Sequence, residues 1–149
     1  MRKVLVATSA GGHWVQMRRL LPALEGCDLV FAGIAERLDS DLEPAPYYTL
    51  RNVSRSDPFG FLVVVWQLGR LVRRERPEVV ISTGAAPGLV AIVIAKLLAG
   101  SRTIWIDSVA NTERVSLSGR LARPVADLLL VQWPHLARPG GPEHWGAVL

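Results

Sequence analysis

Three short stretches hold most of the residues able to do chemistry. Residues 8–13 read TSAGGH, so Ser9, Gly11 and Gly12 lead directly into His13, one of only three histidines in the chain. Adjacent glycines let the backbone take positive φ and lie close to a ligand. The imidazole beside them offers a general base, a hydrogen-bond donor or simply a helix-start residue. Residues 82–88, STGAAPG, set the hydroxyls of Ser82 and Thr83 beside Gly84 and Gly88, a group suited to a phosphate or a sugar. In the third stretch, IDSVANTERVSLSG, Asp107, Ser108 and Asn111 offer hydrogen bonds to sugar hydroxyls, and Asp107 a carboxylate to orient His13. Each stretch also has a plainer reading: a tight turn packing helix on sheet, a loop shaped by glycine and proline, and a solvated loop.

Other chemistries lack their residues. No Lys-Ser/Thr follows the glycines of residues 8–13, so they are not a Walker A loop, and they lack the spacing of the dinucleotide G-x-G-x-x-G fingerprint. No nucleophile elbow or metal-ligand cluster is present, and no metal or cofactor is expected. Cys27 is the only cysteine, which excludes an intramolecular disulfide and fits a reducing compartment.

The elements that must position these residues alternate regularly. Strands are expected at Lys3–Ala7, Asp28–Ala32, Tyr47–Leu50, Glu78–Ser82, Thr103–Ile106 and Leu128–Gln132. Helices are expected at Trp14–Leu24, at Leu89–Ala99 before Gly100, and around Leu117–Arg123. Asp57-Pro58, a cap residue followed by proline at the first helical position, starts a further helix that runs to about Arg76. Glu43–Pro46 reads as a loop and Arg138–His144 as a loop-like tail. Strands alternating with helices predict an α/β domain, a doubly wound, mainly parallel, Rossmann-like sheet, with residues 1–149 forming one domain. All three chemical stretches leave carboxyl ends of strands, where such sheets bind ligands, so they are expected to line one cleft for a phosphorylated, hydroxyl-rich molecule.

The helix from Pro58 has no polar face in its first half, where Phe59, Phe61, Leu62 and Trp66 fall, and carries Arg70, Arg73, Arg74 and Arg76 in its second. Burial followed by a basic carboxyl end is one reading. An apolar surface with a basic fringe resting on an anionic membrane is the one favoured here. No secretory leader is expected, and the apolar stretches fall short of the roughly 20 residues of a spanning helix. Seventeen lysines and arginines against 13 acidic residues give a net charge of +4, which favours anionic partners. Nucleic acid is the weaker choice of partner and is set aside, because the arginines do not interleave with exposed aromatics and no zinc-finger, zipper or helix-turn-helix signature occurs.

Taken in order, SAGGH, VVISTGAAPG and IDSVANTERVSLSGRLARPVADLLLVQWPHL resemble the acceptor-binding subunit of the two-subunit UDP-N-acetylglucosamine transferase of dolichol-linked oligosaccharide synthesis, with its bacterial relatives in capsule and exopolysaccharide assembly. The resemblance implies the amino-terminal half of a GT-B glycosyltransferase, inactive without a partner chain that holds most of the UDP-sugar. It implies transfer of N-acetylglucosamine, glucose or glucuronic acid to a lipid-diphosphate acceptor at the cytoplasmic face of a membrane. Carried onto this sequence, Gly11, Gly12 and His13 become the diphosphate loop with a candidate base. Gly84 through Gly88 become the second acceptor loop, and Asp107-Ser108 match an acidic-serine pair that is usually glutamate-serine. Trp145–Leu149 resemble a tail that docks the partner. A non-catalytic recruiting scaffold and a stand-alone nucleotide-binding enzyme are the competing expectations.

Overall fold

Runs of valine, leucine and isoleucine too short for helices alternate with longer apolar segments opened by glycine or proline, and this pattern builds a parallel sheet wrapped by helices. The computed structural model describes residues 1–34, 45–54 and 56–148. Its strands are β1 (Lys3–Thr8), β2 (Asp28–Gly33), β3 (Tyr47–Thr49), β4 (Val79–Ser82), β5 (Arg102–Ile106) and β6 (Leu128–Leu130). They form one sheet in the order β3-β2-β1-β4-β5-β6, and every neighbouring pair is parallel. The expected doubly wound architecture is therefore the one observed. The expected loop at Glu43–Pro46 lies partly outside the described residues, and Leu149 lies outside them altogether.

Alternation along the strands sorts their side chains to two faces. Leu5, Ala7, Val30, Val80, Trp105 and Leu129 face α2 (Pro58–Glu75), α3 (Ala85–Ala99) and α4 (Leu117–Ala122), which contribute Val64, Leu68, Val72, Ala91, Ile92, Ala95 and Ala122 to the same core. Val4, Val6, Phe31, Ile81 and Ile106 face α1 (Gly12–Leu20), packing with Trp14 and Met17. At the amino-terminal edge of the sheet, Tyr48 and Lys3 both donate to the Glu75 carboxylate and tie the end of α2 to β3 and β1. Those bonds, Tyr48's first, hold the Glu75 carboxyl below its ordinary value.

Two helix boundaries differ from the sequence expectation by four residues each. Helix α1 stops at Leu20 and continues only as a 3-10 turn, Leu21–Leu24, because Pro22 has no N–H for an α-helical bond. Helix α3 begins at Ala85, four residues early: Pro87 sits in its first turn, where its missing N–H costs nothing, and Gly88 lies inside the helix. The expected loop at 83–88 thus shrinks to Thr83-Gly84.

Gly88 is the contact that lets α3 lie on β4, since a Cβ there would fall 1.9 Å from Ser82 Oγ. Ser82 is itself buried, and its hydroxyl accepts the Gly84 N–H at 3.2 Å. Gly88→Ala is expected to destabilise the chain by about 1–3 kcal/mol through overpacking, read as a lower denaturant midpoint with an unchanged slope.

Candidate functional site

The strand order reverses between β1 and β4, and the crevice outside the carboxyl ends of strands at such a point is where doubly wound sheets bind ligands. Helices α1 and α3 begin there. Each opens on a glycine and neither has a side-chain capping bond, so two positive helix ends face the same crevice. Gly11 has φ 72° and Gly84 has φ 137°, conformations open to glycine. Ala85, at φ 67°, holds a left-handed conformation that a side chain disfavours, a strain found mostly at ligand sites.

His13 bridges the two loops. Its Nδ1 lies 2.9 Å from the Thr83 carbonyl oxygen, which can only accept, so Nδ1 is the donor, and the neutral tautomer with that donor has its lone pair on Nε2. The Thr83 hydroxyl returns a bond to the His13 carbonyl at 2.8 Å and lies 3.1 Å from the Thr8 hydroxyl. The ring rests on Gly84, where a Cβ would come within 2.5 Å of His13 Cε1. Gly84 is therefore needed both for its φ and for the imidazole.

Several residues expected to meet a ligand turn inward instead. Ser82 and Thr83 are fully buried and spend their hydroxyls on the β1, α1 and β4 loops. Gly88 packs helix on sheet. Asp107, 2% exposed, does not orient His13: Oδ1 accepts from Trp105 Nε1 (3.0 Å) and Ser116 Oγ (2.6 Å), and Oδ2 from Asn111 Nδ2 (3.2 Å) and Ser116 N (2.9 Å). The reason is topological, since Asp107, the first residue after β5, lies under the loop that closes onto α4. Asn111 is thereby a loop brace, and Ser108 caps its own turn by accepting the Ala110 N–H.

Ser116 is the residue that sequence reasoning passed over. It caps α4 by accepting the Gly119 N–H while donating to Asp107. Its signal was present: a serine three residues before Gly119 at a helix start. The braced loop stands beside the crevice, because β5 adjoins β4 and Gln16 of α1 donates to the Asp107 carbonyl.

The α2 residues are not part of this crevice. Phe59, Phe61, Leu62 and Trp66 point outward, with Trp66 62% exposed, and Leu97 and Leu98 of α3 join them. Val65, Trp66, Gly69, Arg70, Arg73, Ile94, Leu97 and Leu98 enclose a groove of about 480 Å³ between the two helices. The Arg70 guanidinium lies 5.6 Å from the Trp66 ring centroid. Trp145 is exposed and donates to Glu143. Among the described residues no cluster of potential metal ligands occurs, and no helix is long and apolar enough to cross a membrane.

A six-stranded doubly wound sheet with a histidine held between two glycine-opened helices at its switch point defines the class: the amino-terminal, Rossmann-like half of the GT-B fold. MurG of Acinetobacter baumannii superposes on it with a TM-score of 0.77 at 15% identity, over 95% of this chain and 44% of that one. Residues 49–148 match the family described as "Oligosaccharide biosynthesis protein Alg14 like", and the chain belongs to that family. The ALG14 subunit of the UDP-N-acetylglucosamine transferase of Eremothecium gossypii is 29% identical over 99% of this chain and 80% of its own length. The UDP-N-acetylglucosamine--N-acetylmuramyl-(pentapeptide) pyrophosphoryl-undecaprenol N-acetylglucosamine transferase of Geobacillus thermodenitrificans is 28% identical over 90% of this chain. The chain spans only 41% of that enzyme's length.

Proposed function

We propose that this chain is the acceptor-binding subunit of a two-component glycosyltransferase that moves a sugar from a UDP-sugar to a lipid-linked diphosphate acceptor. One observation carries the reading: two uncapped helix ends converge on the crevice where His13 presents Nε2. Helix ends of that kind favour a diphosphate. An Nε2 lone pair held by the Nδ1 bond to Thr83 is a proton acceptor of fixed direction. In the reaction the acceptor hydroxyl gives its proton to His13 Nε2 and its oxygen attacks the sugar carbon. The bond to UDP breaks with its electron pair on UDP, and the configuration inverts. The partner chain, the carboxyl-terminal GT-B half, holds the UDP-sugar and stabilises the departing diphosphate. Asp107 acts by holding the third loop. No metal or organic cofactor takes part.

Reconstitution tests this. The chain with a UDP-sugar-binding partner is expected to transfer labelled sugar to a polyprenyl-diphosphate acceptor, and neither chain alone to do so. Transfer by the partner alone at the rate of the pair would overturn the reading.

Gly12 supplies an independent check. It has no positive φ, and a Cβ there would meet nothing within 4 Å, so the fold makes no demand for glycine. Gly12→Val is therefore expected to change stability by less than about 0.5 kcal/mol, yet to raise the acceptor KM at least tenfold by blocking close approach of the diphosphate.

The exposed α2–α3 face supports peripheral attachment to the cytoplasmic leaflet, with aromatic and leucine side chains in the interface and Arg70 and Arg73 near lipid phosphates. Trp66→Glu with Leu97→Glu is expected to weaken flotation with anionic vesicles about tenfold while leaving the melting temperature unchanged. Flotation equal to wild type would remove this face from the account.

A further inference from the structure

A second basic feature lies away from both the crevice and the α2–α3 face. Arg114 on the braced loop, Arg120 and Arg123 around α4, and Arg138 on the tail line a groove of about 240 Å³ that Val115, Leu129, Leu136 and Pro142 floor. Glu113 is the one carboxylate in the lining, and none of the four guanidiniums forms an ion pair with a described residue.

The arrangement is built. The tail folds back onto the sheet through Glu143, whose N–H bonds the Leu129 carbonyl at 2.9 Å and whose carbonyl accepts the Val131 N–H at 2.8 Å. Trp133 Nε1 donates to the Val109 carbonyl at 2.8 Å and pins the tail to the loop. Arg138 Nη1 is oriented by the carbonyls of His135 and Ala137, at 2.7 and 2.8 Å. Gly141 leaves the notch in which the Arg123 guanidinium sits, since a Cβ there would lie 2.9 Å from Arg123 Nη2.

Four like charges around one small groove repel one another, and no described carboxylate pairs with any of them. A group with several anionic oxygens removes that repulsion and fits the planar forks of guanidinium donors. We propose that this groove is a phosphoryl-anion site separate from the β1–β4 crevice. Its ligand is a phosphate or diphosphate group, free in solution or carried on a lipid headgroup. Leu117 and Leu121, more than half exposed on the same helix, would meet the acyl side of a lipid.

The test pairs Arg120→Gln/Arg123→Gln with a control of equal charge, Arg2→Gln/Arg102→Gln, at exposed positions on the amino-terminal side of the sheet. Full-length chains, all carrying Gly12→Val so that the β1–β4 crevice does not contribute, are titrated with inorganic pyrophosphate by calorimetry, and floated with phosphatidylcholine vesicles with and without phosphatidic acid. Thermal melts confirm folding. The expected result is a loss of about tenfold or more in affinity for pyrophosphate, for phosphatidic acid vesicles, or for both, in the groove variant but not in the control. Loss for pyrophosphate alone assigns a soluble ligand, and loss for vesicles alone a lipid. Equal binding by the groove variant, the control and the Gly12→Val parent overturns the site, as does an equal loss in both variants, which would mark a general charge effect.

Discussion

Replacing His13 with alanine is expected to lower turnover of the assembled transferase by roughly 10²–10⁴-fold, the usual contribution of a positioned general base, with little change in the KM for the UDP-sugar. The fold is expected to survive. His13 is partly exposed, and its side chain makes one hydrogen bond to the Thr83 carbonyl, so its removal costs about 1 kcal/mol. The Thr83–His13 backbone link does not depend on the imidazole, because the threonine hydroxyl bonds the His13 carbonyl. A loss of rate in a chain that still melts near wild type and still assembles with its partner is thus specific to proton transfer. Turnover within a factor of about three of wild type would instead make the chain a recruiting scaffold.

Asp107→Asn is expected to do the opposite and unfold or loosen the chain before chemistry is reached. The carboxylate accepts four hydrogen bonds from Trp105, Asn111 and Ser116, and it is almost fully buried. An amide replaces one acceptor oxygen with an NH2 that faces donors. Whichever oxygen is replaced, an N–H that can only donate, Trp105 Nε1 or Ser116 N, is set against a second donor, and the remaining bonds no longer go to a charged group. At about 1.5–3 kcal/mol for each hydrogen bond to a charged group, the expected loss is about 3 kcal/mol or more, a drop in melting temperature of roughly 6–12 °C. Activity then falls in proportion to the folded fraction, and cooling restores part of it. An Asp107→Asn chain that melts like wild type but is catalytically dead would return this carboxylate to the reaction.

The contrast between these two residues shows what the sequence made legible. The strand-turn-helix rhythm was readable because the strands are short apolar runs and the turns carry glycine, whereas the order of the strands, and so the switch point between β1 and β4, is set by how they pair in the sheet. Gly11, Gly12 and His13 were found together because they are adjacent in the chain. The direction of a side chain was not readable. Ser82, Thr83 and Asp107 look like ligand-binding groups in a linear reading, yet the end of β4 and the first residues after β4 and β5 lie in the interior, where each hydroxyl or carboxylate must find a partner. The start of α3 was placed late because Pro87 and Gly88 read as loop formers, whereas a first turn accepts proline and Gly88 answers to Ser82. Ser116 was missed because its partner, Asp107, lies nine residues away on another element. The four-arginine groove was invisible for a related reason: Arg114 and Arg138 meet only when the tail folds back onto β6.

The most direct test of the central claim is calorimetric titration of the isolated chain with a short-chain isoprenyl diphosphate and with UDP-N-acetylglucosamine. It is performed in the Arg120→Gln/Arg123→Gln background, so that the second groove does not contribute. The account predicts that the lipid diphosphate binds, that Gly12→Val weakens it at least tenfold, and that the UDP-sugar binds weakly or not at all. Tight UDP-sugar binding, or lipid-diphosphate binding indifferent to Gly12→Val, would contradict it.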